Sequence, residues 1–345
     1  MIKDDELLYL SLTAVIEACV ELDPVATVYD TLVLHARDEV RMPDEAYLGW
    51  RTPDGAAARS LNMPAHLGGE IQALGTKIIN SNPDNIKRDM PRASGLTVLF
   101  DPATARPLCV MEATHISALR TAAVSFVAAR AVWASEPQTV AVFGAGPIAR
   151  THIELLVPRA PRIKQLFLYD LDRGRTEALA RDLAPLSVGR DLTITVVTEP
   201  VAALAAATLV IAATSTTTPY IGAAHLKPGT VVVNVSLDDV DAGLMLSADR
   251  LYVDDWGLIC ADQHRLLGRM ARDGRISGPG TTALANGRAV DGTIGQLLLG
   301  TCPSPAGVAD SVVINPFGMA IHDISLARQV YSVAIQRGLG HRLPR

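Results

Sequence analysis

A chain of 345 residues, 49% of them apolar, with a formal net charge of −5, has the length of about two domains and a core for each. The mild acidic balance excludes general nucleic-acid binding. Cys19, Cys109, Cys260 and Cys302 lie far apart with no CxxC pair, and the histidines have no metal-ligand spacing. That excludes a disulfide framework and gives no metal site; it fits thiols in a reducing cytosol.

The chain opens with Asp4, Asp5 and Glu6 where a leader would be basic. The apolar stretch 7–20 is too short to span a bilayer and holds Glu17, so a soluble cytoplasmic protein that does not engage membranes is expected. Residues 7–10 read as a strand and a helix follows from about Leu12. Residues 71–79 and 95–100 read as strands, the first broken at Gly75, with a turn at Asn82-Pro-Asp-Asn85 between them. A loop at 101–107 leads to a strand at 108–111, and a helix is expected over 117–133. This part reads as α+β with antiparallel hairpins. It carries Arg51, Arg59, Lys77, Arg92 and Arg120 in otherwise uncharged surroundings. Buried cations need partners. Two readings stay open: a cleft for carboxylates, or internal salt bridges with Glu112 available. Trp50, Trp133 and Trp256 read as packing residues.

The central stretch is Thr139-Val-Ala-Val-Phe-Gly-Ala-Gly-Pro-Ile-Ala149, with Asp170 downstream. The apolar run reads as a buried parallel strand. Gly144 and Gly146 permit a tight turn and close approach to a pyrophosphate. Ala149 lets the following helix, expected at about 150–156, pack on the strand, its N-terminal N–H groups facing the phosphates. Asp170 ends a second apolar run where an acid meets a ribose 2′-hydroxyl. Dinucleotide binding follows. Arg173 either contacts a 2′-phosphate or is solvated; Asp170 would repel that phosphate, which favours NAD.

Further strands are expected at 192–197, 208–212, 231–235 and 250–253, a doubly wound parallel sheet. Residues 312–319 and a helix over about 320–337 are expected to return to the first domain. The domains are then 1–134 with 304–345, and an inserted 135–303. Ligands of such sheets bind beyond the carboxyl ends of the strands. That rule selects Ala213-Thr-Ser-Thr-Thr-Thr218 and Asn234-Val-Ser-Leu-Asp-Asp239. Asp238 or Asp239 is either a proton acceptor beside the nicotinamide or a cap. His322-Asp323 reads as a helix start or packed polar pair rather than a catalytic dyad.

Ile116-Ser-Ala-Leu-Arg-Thr-Ala-Ala123, the glycine turn and Val235-Ser-Leu-Asp-Asp239 together resemble the ornithine cyclodeaminase/μ-crystallin family, over nearly the whole chain. The resemblance implies a two-lobed, usually dimeric fold: a Rossmann NAD(P)-binding domain inserted into an α+β substrate and dimerisation domain. It implies Asp239 and Lys77 as the catalytic pair, with Lys77 and Arg120 on a substrate carboxylate. Arg51 or Arg59 assists, and Met63 lines the substrate site. For the cofactor it implies Gly144, Gly146, Pro147, Ile148, Ala149 and Asp170, with Thr121, Thr214, Ser215, Ser236 and Phe317.

Asn62-Met-Pro-Ala65, Met90-Pro-Arg-Ala-Ser94 and Asn315-Pro-Phe-Gly-Met319 resemble one branch of that family. The branch oxidises N-(1-amino-1-carboxy-2-ethyl)-glutamate with NAD to 2-oxoglutarate and L-2,3-diaminopropionate, for siderophores or peptide antibiotics. Cyclodeaminases generally have threonine where Arg92 falls. A guanidinium ~4 Å from ornithine's cationic tail would cost roughly 1–4 kcal/mol, whereas a substrate with several carboxylates would gain. The family's other activities, ornithine or lysine cyclodeamination, imine reduction and ligand carriage, are the alternatives.

Overall fold

The computed structural model describes residues 6–282 and 287–344. The chain divides into two compact units, Met1–Arg120 with Met319–Arg345 and Thr121–Gly318. The first boundary falls inside the helix Thr114–Val132. Among the described residues no helix is long and apolar enough to cross a membrane.

The first unit is built on one mixed sheet. Its central strands, Ala57–Leu67, Ala73–Ser81, Ala93–Phe100 and Pro107–Glu112, are antiparallel neighbours. Glu6–Leu10 joins Pro107–Glu112 in parallel and pairs antiparallel with His341–Pro344. Alternation decides the faces. In Ala73–Ser81 the side chains of Ala73 and Lys77 are buried and Ile78 is exposed. The helix Ala320–Arg337 packs on three of these strands and on the helices Pro24–Ala36 and Leu12–Cys19. Gly75 does not break its strand. A Cβ there would stand 2.6 Å from the Val98 carbonyl oxygen and 3.0 Å from Ile324 Cδ1, so glycine lets the long helix lie close to the sheet.

The opposite face leaves apolar groups in solvent. Ile78 and Leu96 are direct cross-strand partners and both are exposed, as are Leu48 and Trp50, whose register on the strand Ala46–Arg51 puts them on the same side.

Among the described residues the main sheet of the second unit has eight parallel strands. Their spatial order is Thr193–Val196, Gln165–Tyr169, Thr139–Phe143, Leu209–Ala212, Val231–Asn234, Val312–Asn315, Arg250–Val253 and Gly292–Thr293. This is a doubly wound Rossmann-type sheet, with its switch in strand order beside Thr139–Phe143. One expectation needs correction. The segment Val312–Asn315 lies within this sheet, between two of its strands, and does not join the first unit. Its four residues are all buried, as a central parallel strand requires. The expected limits at 134 and 304 therefore move to 120 and 318.

Candidate active site

The helix after the glycine turn starts earlier than expected, at Pro147, and runs to Arg159. Proline is suited to that first position, since its φ is preset and the missing N–H has no helical partner there. Gly146 is the N-cap and no side chain caps this end. The first-turn N–H groups of Ile148 and Ala149 are thus left for an anion. Gly144 has φ +106°, and a Cβ on it would stand 2.5 Å from the Ala213 carbonyl oxygen. Asp170 Oδ2 accepts the Ala145 N–H at 2.8 Å and Oδ1 the Asp172 N–H at 3.0 Å. The acid is thereby locked to the glycine turn. These residues fit a dinucleotide: an uncapped helix end for its pyrophosphate and a fixed carboxylate for a ribose. Arg173 is committed to Glu177 at 2.8 Å. Arg175 approaches the turn instead, with Nη2 3.9 Å from where a Gly146 Cβ would be; no sequence signal singled it out.

The structure separates the two adjacent aspartates. Asp238 Oδ1 accepts the Leu266 N–H at 2.8 Å, and Arg265 and Arg269 lie within 3.5 and 3.9 Å of its carboxylate. Asp238 therefore anchors a helix start. Asp239 is fully buried. Its Oδ1 accepts the Thr214 hydroxyl at 2.7 Å, while its Oδ2 has no hydrogen-bond partner among the described residues. The main-chain oxygen of Asp239 accepts the N–H groups of both Tyr220 and Ile221. Burial pushes the Asp239 carboxyl above its ordinary value, Thr214 and Tyr220 pull against that, and Asp238 adds to it. The Tyr220 phenol is raised by burial and by Asp239. An acceptor oxygen that is buried, unpaired and more basic than usual is what proton abstraction needs. Sequence reasoning did not single out Tyr220.

The remaining cofactor candidates in this unit sit as follows. Thr214 touches Asp239, and Ser215 is exposed. Ser236 donates its N–H and its hydroxyl to the Ala212 carbonyl. Thr121, half-buried, accepts the Ser125 hydroxyl through its carbonyl. Phe317 is half-buried and packs on the core of the sheet. Its N–H and that of Gly318 donate to the buried Asp254 at 2.8 and 2.6 Å. Burial raises the Asp254 carboxyl and those two N–H groups counteract the rise.

In the first unit the structure gathers some of the predicted cations and not others. Lys77 is 1% and Arg120 8% exposed. Both face a residue not assigned to them beforehand, Asp323: Lys77 Nζ is 2.8 Å and Arg120 Nε 3.2 Å from the same Oδ2. Glu112, the partner considered from sequence, instead caps the Thr114 N–H. Burial lowers the Lys77 pKa to about 8, which Asp323 opposes and Arg120 reinforces. Met63 is buried and lies opposite Lys77 in register. Arg51 is exposed and donates to the Gly55 carbonyl of its own hairpin at 2.9 Å. Arg59 is half-buried on the neighbouring strand and Arg92 is exposed at the bend before Ala93–Phe100. His322 and Asp323 are a packed polar pair inside the last helix, both fully buried.

The family model described as ornithine cyclodeaminase/mu-crystallin family matches residues 10–338. Among characterised proteins, N-((2S)-2-amino-2-carboxyethyl)-L-glutamate dehydrogenase of Staphylococcus aureus is 33% identical over 91% of this chain and 90% of its own length. The crystal structure of CmnK superposes with a TM-score of 0.88 at 33% identity, over 99% of this chain and 98% of that one. Thermococcus litoralis Δ1-pyrroline-2-carboxylate reductase, solved with NADH and L-proline, shares the fold with a TM-score of 0.83 at 21% identity, over 97% and 99%.

Proposed function

Because the chain belongs to the ornithine cyclodeaminase/mu-crystallin family, we propose that it is an NAD-dependent amino-acid dehydrogenase. Its substrate is N-((2S)-2-amino-2-carboxyethyl)-L-glutamate, also written N-(1-amino-1-carboxy-2-ethyl)-glutamate. Its products are 2-oxoglutarate and L-2,3-diaminopropionate. The match to the S. aureus dehydrogenase over nine-tenths of both chains carries the substrate assignment. The geometry supports it: two buried cations share one carboxylate, so one positive charge is left for a substrate carboxylate.

Lys77 and Arg120 hold the α-carboxylate of the glutamyl part. Arg51 or Arg59 assists with that carboxylate, and Arg92 engages a further one. Bound NAD⁺ supplies the acceptor for the hydride that leaves the α-carbon. Asp239 takes the proton of the secondary amine through Oδ2, and the nitrogen lone pair forms the C=N bond. Asp239 releases that proton to solvent, and the regenerated carboxylate deprotonates the water that adds to that carbon. It passes this proton to the nitrogen and takes the hydroxyl proton as the C–N bond breaks, so that the ketone and primary amine separate and one proton is released overall. Fixing the carbon and the base in place supplies several kcal/mol of the barrier reduction.

The reading is tested by absorbance at 340 nm with NAD⁺ and the substrate, beside ornithine and lysine, with products identified by mass. Stoichiometric NADH with 2-oxoglutarate and diaminopropionate is expected. Proline or pipecolate from the diamines without net NADH would make the protein a cyclodeaminase.

The pH profile should be bell-shaped. The acid limb belongs to Asp239 and lies above the ordinary carboxylate range, because burial raises that group. The alkaline limb belongs to Lys77: above about pH 8 the amine is neutral and KM should rise about tenfold per pH unit. The same group links to stability in the opposite sense. Its folded pKa lies below its unfolded value, so the unfolded chain binds more protons between the two. The Lys77 contribution to stability therefore rises with pH from about 8 towards 10.5. A KM flat to pH 10 would remove Lys77 from carboxylate binding.

We also assign the exposed face around Ile78 and Leu96 to a second copy of the chain. Apolar cross-strand pairs left in water mark an association surface. Ile78→Lys with Leu96→Lys should give monomers by light scattering with the circular dichroism spectrum retained; intact dimers would put the interface elsewhere. The chain's four cysteines are unpaired, consistent with work in the cytosol. A role in siderophore or peptide-antibiotic biosynthesis follows from what diaminopropionate is used for.

A further inference from the structure

We propose that Asp323 is the positioning residue of the carboxylate-binding pair: one buried oxygen sets where the Lys77 ammonium and the Arg120 guanidinium point and cancels one of their two charges. The inference rests on the reading of Lys77 and Arg120 as substrate ligands.

Three features carry it. Asp323 Oδ2 meets both cations, at 2.8 and 3.2 Å, and all three side chains are at most 10% exposed. The arrangement draws on three separate elements: the strand Ala73–Ser81, the helix Thr114–Val132 and the helix Ala320–Arg337. Only tertiary packing assembles it. Among the described residues, Asp323 is the carboxylate that forms an ion pair with both cations. Glu45 exerts only a weaker charge effect on Lys77, and Ser117 lies 3.5 Å from its Nζ.

The neighbour His322 cannot substitute. Burial, with Arg120, His35 and Lys77 nearby, holds its imidazole well below its ordinary pKa. Both ring nitrogens lack a hydrogen-bond partner among the described residues. It is a neutral filler beside the cations. Without Asp323, two like charges would face each other in a site that excludes water, and Lys77 would lose its proton more readily. Asp323 thus keeps Lys77 charged at neutral pH while leaving one net charge for a ligand.

The test is Asp323→Asn, which keeps the shape and removes the charge, with Asp323→Glu as the second variant. Two readouts are followed. One is the pH dependence of KM and kcat. The other is the 13Cε signal of Lys77 in the lysine-labelled holoenzyme, assigned through Lys77→Met against the chain's other lysines (Lys3, Lys87, Lys164 and Lys227). For Asp323→Asn, KM should rise at least tenfold while kcat falls less than threefold. The Lys77 titration should move ~1–3 pH units below that of the wild type. Asp323→Glu should restore the titration and leave KM raised about threefold, since the longer side chain displaces both cations. NADH affinity, a property of the second unit, should stay unchanged in both. An unmoved Lys77 titration in folded Asp323→Asn overturns the proposal. So does a loss in kcat with KM intact. If Asp323→Asn does not fold, wild-type KM in Asp323→Glu overturns it. If the wild type turns over none of the amino acids, the proposed activity falls, and the titration still decides whether Asp323 governs Lys77.

Discussion

Asp239→Asn should lower kcat by about 10²–10⁴-fold, the range a positioned general base contributes, with NADH affinity close to the wild type. The substitution is nearly isosteric. The Thr214 hydroxyl can still donate to the amide oxygen in place of Oδ1. The two backbone bonds from Tyr220 and Ile221 end on the main-chain oxygen and are untouched. What disappears is the proton-accepting capacity of Oδ2, which is buried and unpaired. Asp238→Asn is the control. Its carboxylate anchors the Leu266 N–H and faces Arg265 and Arg269, so its loss should reduce thermal stability and leave kcat within a few fold. Single-turnover kinetics and NADH fluorescence titrations measure both variants. Wild-type turnover in Asp239→Asn would remove that residue from the mechanism.

Gly144→Ala should lose both stability and NADH binding, whereas Gly146→Ala should lose NADH binding alone. At Gly144 the backbone has φ +106°, a region that costs a residue with a Cβ about 1–3 kcal/mol. The new methyl would also stand 2.5 Å from the Ala213 carbonyl, which is fixed by the Ala213 N–H bond to Phe143. Adding that overlap brings the expected loss to roughly 3–5 kcal/mol, seen as a lower midpoint in urea. Gly146 has an ordinary φ of −88°, and the nearest atom to its added Cβ is 3.9 Å away. Its substitution leaves the fold free and fills only the space in front of the helix N-terminus. Equal urea midpoints for Gly144→Ala and wild type would refute the strain argument. Unchanged NADH affinity in Gly146→Ala would take the phosphates away from that helix end.

The two glycines also mark how far the sequence can be read. Their spacing, with the apolar strand and Asp170, announces a dinucleotide turn, because strand, turn and helix are local and obey short-range rules. The spacing gives both glycines one role; only the fold reveals that Gly144 answers to Ala213, a residue from another strand's loop. The start of the helix Pro24–Ala36 is written locally: Asp23 accepts the N–H groups of Val25 and Ala26, and Pro24 holds the first helical position. The strand Ala57–Leu67 was harder. Pro64 argues against a central strand, yet it falls where the neighbouring strands Val40–Arg41 and Ala46–Arg51 leave a gap, at the registers 66 and 62. On the other side Pro64 stays in register with Thr76. The placement of Val312–Asn315 between Val231–Asn234 and Arg250–Val253 is a matter of which buried strand pairs with which, and an apolar run carries no address. Asp323 illustrates the same limit for the site. Beside His322 it reads as a polar pair in a helix, and its bond to Lys77 spans most of the chain.

The split of the first unit has a consequence for biosynthesis on the ribosome. Its sheet is complete in sequence by Glu112 except for the edge strand His341–Pro344, but the helix that covers that sheet, Ala320–Arg337, emerges only after the entire second unit. During elongation the apolar underside of the sheet and the Lys77 ammonium must wait for it, exposed to water. The second unit, continuous from Thr121 to Gly318, can close first. Nascent chains stalled once Gly318 has left the ribosome but before the helix Ala320–Arg337 has emerged should therefore bind NADH while their amino-terminal portion stays protease-sensitive and attractive to chaperones.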